Sequence, residues 1–234
     1  MVITSLSECL AFSMMRRAGP MACGLRMGRR KAAITIVLYG SKYIIMKAGM
    51  EMKKIIEQIS REEIITLFYE YMDEEFVTGF IHSVSETELV LACVDRFGEN
   101  NGFLLLEMEG ISRIDFGSKY EQKVKILYNR KNQQHSLVNF REDGKSLKNS
   151  MLQWARKNDK TVEIGFENWN SEVCGYIEDE NLHKIEMIDK YECWPNQGSS
   201  CFSVKKAKYI WVDERRARDA GMVYRWRAKN NYEV

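Results

Sequence analysis

Lys205, Lys206, Lys208, Arg215, Arg216, Arg218, Arg225 and Arg227 interleave with Tyr209, Trp211, Tyr224 and Trp226 near the C-terminus. Cations beside aromatic faces are the chemistry of single-stranded nucleic-acid binding. The charges neutralise phosphates and the rings stack bases, each exposed stack being worth about 1–3 kcal/mol. Residues 205–234 hold nine basic and four acidic side chains, net +5. A plainer reading competes. On a strand, side chains alternate faces, so Tyr209 and Trp211 would point into a core while the lysines point to water. Exposure of Trp226 separates the two.

Other candidate chemistry is sparse. The six cysteines are Cys9, Cys23, Cys93, Cys174, Cys193 and Cys201, with no C-x-x-C pair. Cys93 and Cys174 fall in predicted strands and read as small buried hydrophobes. Cys193 and Cys201 flank the Trp194–Gly198 loop. If it closes as a hairpin they could form a disulfide or, with His183, part of a metal site; free thiols in a reducing cytoplasm are the plainer expectation. His82 and His183 read as surface residues, and nothing in the spacing of His82, His135 and His183 sets up a Cys–His nucleophile pair. The acids cluster in turn-like runs, Asp73-Glu74-Glu75 and Glu178-Asp179-Glu180. No phosphate loop, dinucleotide fingerprint or zinc-protease motif is present, so no cofactor is implied.

The elements that would carry these residues come from a repeat. The stretch ending Gly79-Phe80-Ile81 matches the one ending Gly175-Tyr176-Ile177 at an offset of 96 residues. Each glycine falls inside a predicted second strand, where glycine marks a bulge or tight bend. Met52, Ile55, Ile56 and Ile59 recur at helical spacing. Five strands follow: Thr66–Met72, Phe76–Val84, Glu88–Asp95, Phe103–Met108 and Ile111–Phe116, with turn chemistry at 96–102. The second copy opens on a helix through Leu147, Met151, Leu152 and Ala155. Its strands are Thr161–Trp169, Glu172–Glu178 and His183–Tyr191, with the closing strands between Cys201 and Val212. Glu214–Trp226 reads as a helix or arm. Short strands at regular spacing suit small antiparallel barrels.

Charge is uneven along the chain. Overall it is +2, with 45% hydrophobic and 29% charged residues, as expected of a globular protein. Residues 51–128 carry net −8 and residues 129–204 net −2, so the first repeat should repel a phosphate backbone. Residues 1–50 carry net +7 and eight of the thirteen methionines, counting to Met52. Three readings of this segment stand open: translated upstream sequence with the start at Met46, Met50 or Met52; a basic arm; or an organelle-targeting or membrane-associated segment. Each keeps it out of the folded core. The apolar stretch Ala33–Met46 is shorter than the roughly 20 residues needed to span a bilayer.

The order of one helix and five strands, with Gly79 and Gly175 in the second strand, resembles the Sm-like or SH3-like small barrels of bacteria. The resemblance covers 52–128 and, more loosely, 145–213. It implies a mostly β fold of two tandem five-stranded barrels, each preceded by a short helix. The expected layout is a basic segment 1–50, a barrel 51–128, a linker 129–144, a barrel 145–213 and a basic helix or arm 214–234. Members that bind uridine-rich RNA carry an Asp-then-Asn element and a basic residue before a glycine. Here Asp95 has no such asparagine, and Glu109 stands before Gly110. The first repeat therefore lacks that family's RNA contacts. The leading expectation is a cytoplasmic, non-enzymatic adaptor with a protein partner and no membrane association. The alternative is RNA binding through Lys205, Lys206, Lys208, Arg215, Arg216, Arg218, Arg225, Trp226 and Arg227. An uncharacterised enzyme is the third reading.

Overall fold

Short stretches rich in apolar residues form strands, and the computed structural model joins ten of them into one large sheet. It describes residues 36–39, 42–45, 52–71, 76–140, 146–167, 172–189 and 198–230. The chain divides into two units, 1–50 and 51–234. In the first, β1 (Ile36–Tyr39) and β2 (Lys42–Ile45) pair antiparallel, with Ile36 opposite Ile45.

In the second unit, helix α1 (Met52–Gln58) leads strands β3 (Ile64–Tyr69), β4 (Val77–Val84), β5 (Glu88–Val94), β6 (Asn100–Glu107) and β7 (Ile111–Phe116). Helix α2 (Lys119–Arg130) follows. Helix α3 (Leu147–Lys157) then leads β8 (Val162–Gly165), β9 (Val173–Ile177), β10 (Lys184–Met187), β11 (Ser199–Cys201) and β12 (Tyr209–Val212), and helix α4 (Arg215–Lys229) follows. A short 3-10 turn precedes the fifth strand each time, at Met108–Gly110 and Val204–Lys206.

All ten strands belong to one antiparallel sheet, in the order β11-β10-β9-β8-β12-β6-β5-β4-β3-β7. Two closed barrels were expected; the sheet is instead continuous and open, with β11 and β7 at its ends. Within each half the order is the same: fifth, first, second, third, fourth. The halves join where β12 pairs with β6, Ile210 opposite Leu105 and Trp211 opposite Leu104.

Burial explains the junction. Leu104 and Leu106 on β6 face one core with Leu89, Leu91 and Cys93 of β5 and Ile56 and Ile59 at α1. Phe103 and Leu105 face a second core with Val90, Ala92, Met151 and Leu152. Tyr209 and Trp211 of β12 enter the first core, and Ile210 and Val212 the second. So β5, β6 and β12 form a wall between two cores, buried on both faces. This is why Leu104-Leu105-Leu106 runs without a polar break. Each such side chain contributes about 1.5–3 kcal/mol on burial.

The two glycines occupy matching positions. Gly79 lies opposite Ile65 and Cys93, and Gly175 opposite Val162 and Met187. A Cβ on Gly79 would sit 2.5 Å from the Ala92 carbonyl oxygen, and one on Gly175 1.8 Å from that of Glu186. In each half the third strand's backbone crosses the second where only a glycine fits.

A helix that the sequence reading did not place, α2, closes the stretch assigned to the first barrel and reaches only residues 129–130 of the expected linker. Helix α2 opens on a capping box, with the Ser118 side chain and Glu121 satisfying each other's backbone N–H groups. Buried Glu121 also accepts a 2.6 Å hydrogen bond from Thr66. Beyond α2 the chain crosses the sheet face, and Phe140 is buried among Phe103, His82 and Trp154.

Candidate functional site

The nine basic and aromatic residues singled out in the sequence fall into two groups, because β12 runs between them. Lys205, Lys206 and Lys208 lie before it; Arg215, Arg216, Arg218, Arg225, Trp226 and Arg227 lie after it on α4. The strand's four residues span about 13 Å at roughly 3.3 Å each. Tyr209 and Trp211 are core residues, as the strand period allowed.

Most of the cations are engaged. Lys208 donates to Glu107 at 2.9 Å and Glu109 at 3.0 Å and lies over the Tyr71 ring. Arg215 pairs with Glu99 at 2.6 Å and Asp95 at 3.5 Å, tying the start of α4 to the β5–β6 turn. Arg218 pairs with Asp213 at 3.6 Å. Arg225 pairs with Asp159 and packs over the Tyr176 ring at 4.1 Å. Lys205, Lys206 and Arg216 are exposed, without an acidic partner among the described residues.

Helix α4 is held by one stripe: Ala217, Ala220, Gly221 and Tyr224 are buried, at i, i+3, i+4 and i+7. The Glu214 carboxylate accepts from the Ala217 N–H at 2.9 Å and starts the helix. The Tyr224 hydroxyl bonds Glu186; burial and that bond push it up to about 12. The opposite face is open. Met222 is 59%, Val223 38% and Trp226 57% exposed. So Trp226 meets the exposure condition set by the sequence reading, while Tyr209 and Trp211 do not.

A cleft of about 1080 Å³ opens between the halves, lined by Glu86, Glu88, Glu107 and Glu109 on one side and Lys148 and His183 on the other, among others. Within it Lys148 and Glu107 pair with each other, while Glu86 turns to Lys53 and Glu109 to Lys208. Lys148, almost fully buried, donates at 2.6 Å to Glu107 and at 2.6 Å to the Ala207 carbonyl. Burial alone would raise Glu107, but hydrogen bonds from Lys148 and Lys208 outweigh it and hold the carboxyl below its usual range. Burial raises the Glu88 carboxyl, against the pull of Lys148 and of the Leu147 and Lys148 N–H groups. Glu88 accepts from the Leu147 N–H at 2.9 Å and so caps α3. This constellation fastens one half to the other. The sequence reading singled out only Lys208 among them, as a candidate nucleic-acid contact.

His82 is not a surface residue as expected. It is half-buried, with ring centroids 5.3 Å from Phe103 and 5.0 Å from Phe140. Burial lowers its pKa and that of His135, which bonds the Cys93 carbonyl at 2.8 Å and the Tyr128 hydroxyl at 2.9 Å. His183 is exposed, and Cys93 and Cys174 are buried. Asp179 accepts from the His183 and Lys184 N–H groups at 2.8 Å each, which accounts for one acidic run as a turn. Asp73-Glu74-Glu75 and Cys193 lie outside the described residues. Among the described residues no group of His, Cys, Asp and Glu could hold a metal ion, and no helix is long and apolar enough to cross a membrane.

No known protein family, curated protein or solved structure matches this chain.

Proposed function

We propose that residues 51–234 are a tandem pair of Sm-like or SH3-like units working as a non-enzymatic binding protein that recruits another protein. The observation that carries this reading is the shared order of five strands in the two halves, with Gly79 and Gly175 at the same crossing. The buried Lys148–Glu107 contact between the halves gives such a duplicated unit a fixed frame on which a recruiting surface can be held. The RNA alternative has one observation in its favour, the exposed Trp226. It is weakened because Lys208, Arg215, Arg218 and Arg225 already face carboxylates. A phosphate backbone needs a track of available cations.

The test is purification of the tagged chain from its native cells, with and without nuclease. The reading predicts a protein partner at fixed stoichiometry that survives nuclease, and an absorbance ratio of protein without nucleic acid. A complex that nuclease dissolves contradicts it.

A further inference from the structure

We propose that the outward face of α4 is a docking surface for an acidic protein segment with apolar anchors. The proposal rests on the binding-protein reading above and names the surface and the partner's chemistry. Three observations carry it.

The first is the arc of the helix. At about 100° per residue, Met222, Trp226 and Val223 share one outward arc, and the buried stripe lies opposite. Trp and Met suit an interface, one as a rigid anchor and the other as an adaptable filler. The exposed apolar area is on the order of 300 Å², the lower end for the largest apolar patch on an ordinary monomer, which is often functional.

The second is charge. Arg216 borders the arc on one side and Lys229 on the other, both exposed and without an acidic partner among the described residues. Asp219, the one acid of the helix, is exposed and by the same rotation falls within the arc, between Trp226 and Val223. Arg215, Arg218 and Arg225 fold back onto Asp95, Glu99, Asp213 and Asp159. What remains is an apolar strip interrupted by Asp219, with separated cations at its rim, so carboxylates of a partner would have to meet the rim rather than the centre. That pattern fits carboxylates flanking apolar side chains better than a continuous phosphate chain.

The third is the state of the sheet ends, the other route for recruiting a protein. β11 has only three residues. β7 carries an extra, unpaired residue, Ser112, between Ile111 and Arg113, and an Arg113–Asp115 ion pair. Short length, bulges and charge are the devices that discourage strand addition. Strand addition at the sheet ends is therefore disfavoured, which leaves a side-chain surface such as this helix face.

The test uses the full chain and a labelled peptide with Glu and Leu at amphipathic helical spacing, read by fluorescence anisotropy. Controls are a Lys/Leu peptide, a Glu/Ser peptide and an oligouridylate. Micromolar binding of the Glu/Leu peptide alone is expected, weakened about tenfold or more by Trp226→Ala. Arg216→Glu should weaken it too, and Trp226→Phe should retain most of it. Thermal melts of the variants confirm that the fold is intact. Equal binding of the Lys/Leu peptide, or Glu/Leu binding indifferent to Trp226→Ala, overturns the proposal. So does Trp226-dependent binding of the oligouridylate, which assigns the surface to nucleic acid. A dimer lost in Trp226→Ala also overturns it by making a second copy the occupant. If a natural partner survives nuclease and is captured equally by Trp226→Ala, this surface is wrong and the binding-protein reading stands. If no protein partner survives nuclease, the underlying reading falls.

Discussion

Lys148→Met removes the centre of the fastening between the halves while keeping the side chain's length. Lys148 gives up two hydrogen bonds of 2.6 Å, to Glu107 and to the Ala207 carbonyl, in a nearly buried site. Breaking a buried charge pair from one side costs about 3–5 kcal/mol because the other charge is stranded. Glu107 is not wholly stranded, since Lys208 still holds it at 2.9 Å. The expected loss is therefore about 2–4 kcal/mol, between one charged hydrogen bond and a fully broken pair. Urea unfolding measures it. With a slope of about 2 kcal/mol per molar, the midpoint should fall by about 1–2 M. Glu107 belongs to the first half and Lys148 to the second. All five tryptophans come from the second half of the sequence, but Trp211 packs in the first core, so their fluorescence samples both cores and should move together with far-UV dichroism. Adding Glu107→Gln should recover part of the loss, with a coupling of about 1 kcal/mol or more. A change within about 0.5 kcal/mol, the range of an ordinary surface substitution, would refute the fastening.

The remaining predictions follow from the same contacts. Gly79→Ala should destabilise by about 1–3 kcal/mol through overpacking, and Gly175→Ala by more, since its added Cβ meets a backbone oxygen closer still; equal, negligible effects in urea melts would contradict the shared crossing. Burial lowers the pKa values of His82 and His135, so their neutral forms favour the fold. Their contribution is complete above the unfolded value of about 6.5 and is lost as pH falls below it, because the unfolded chain then binds more protons. The melting temperature should drop between about pH 7 and pH 5.5, and His82→Phe with His135→Gln should flatten that slope; an unchanged slope would contradict it. Ser118→Ala should cost about 1 kcal/mol by removing the α2 cap, measured by thermal denaturation.

Strand existence was legible because apolar alternation and turn chemistry are local. Ile111–Phe116 and the helix from Leu147 to Lys157 agree with their expected bounds. The junction was not legible from local pattern, because β6 and β12 are far apart in sequence. The unbroken Leu104-Leu105-Leu106 run signalled burial on both faces but could not name its partner. Helix α2 was missed although Ser118 and Glu121 stand at capping-box spacing, because its exposed face carries many charges. Of the proposed site, Trp226 was visible as a candidate. The pairing of Arg215, Arg218 and Arg225 with distant acids could only come from the fold. His82 looked like a strand-edge surface residue because Phe140, its cover, comes from the segment read as a linker.

Amide NMR of the full chain titrated with the Glu/Leu peptide tests the recruiting surface most directly. The largest shifts are expected on Arg216–Lys229, with little change along β7 or at Glu86–Glu88 and Glu107–Glu109 in the cleft. Shifts centred on the cleft or on β7, with α4 unmoved, would contradict it.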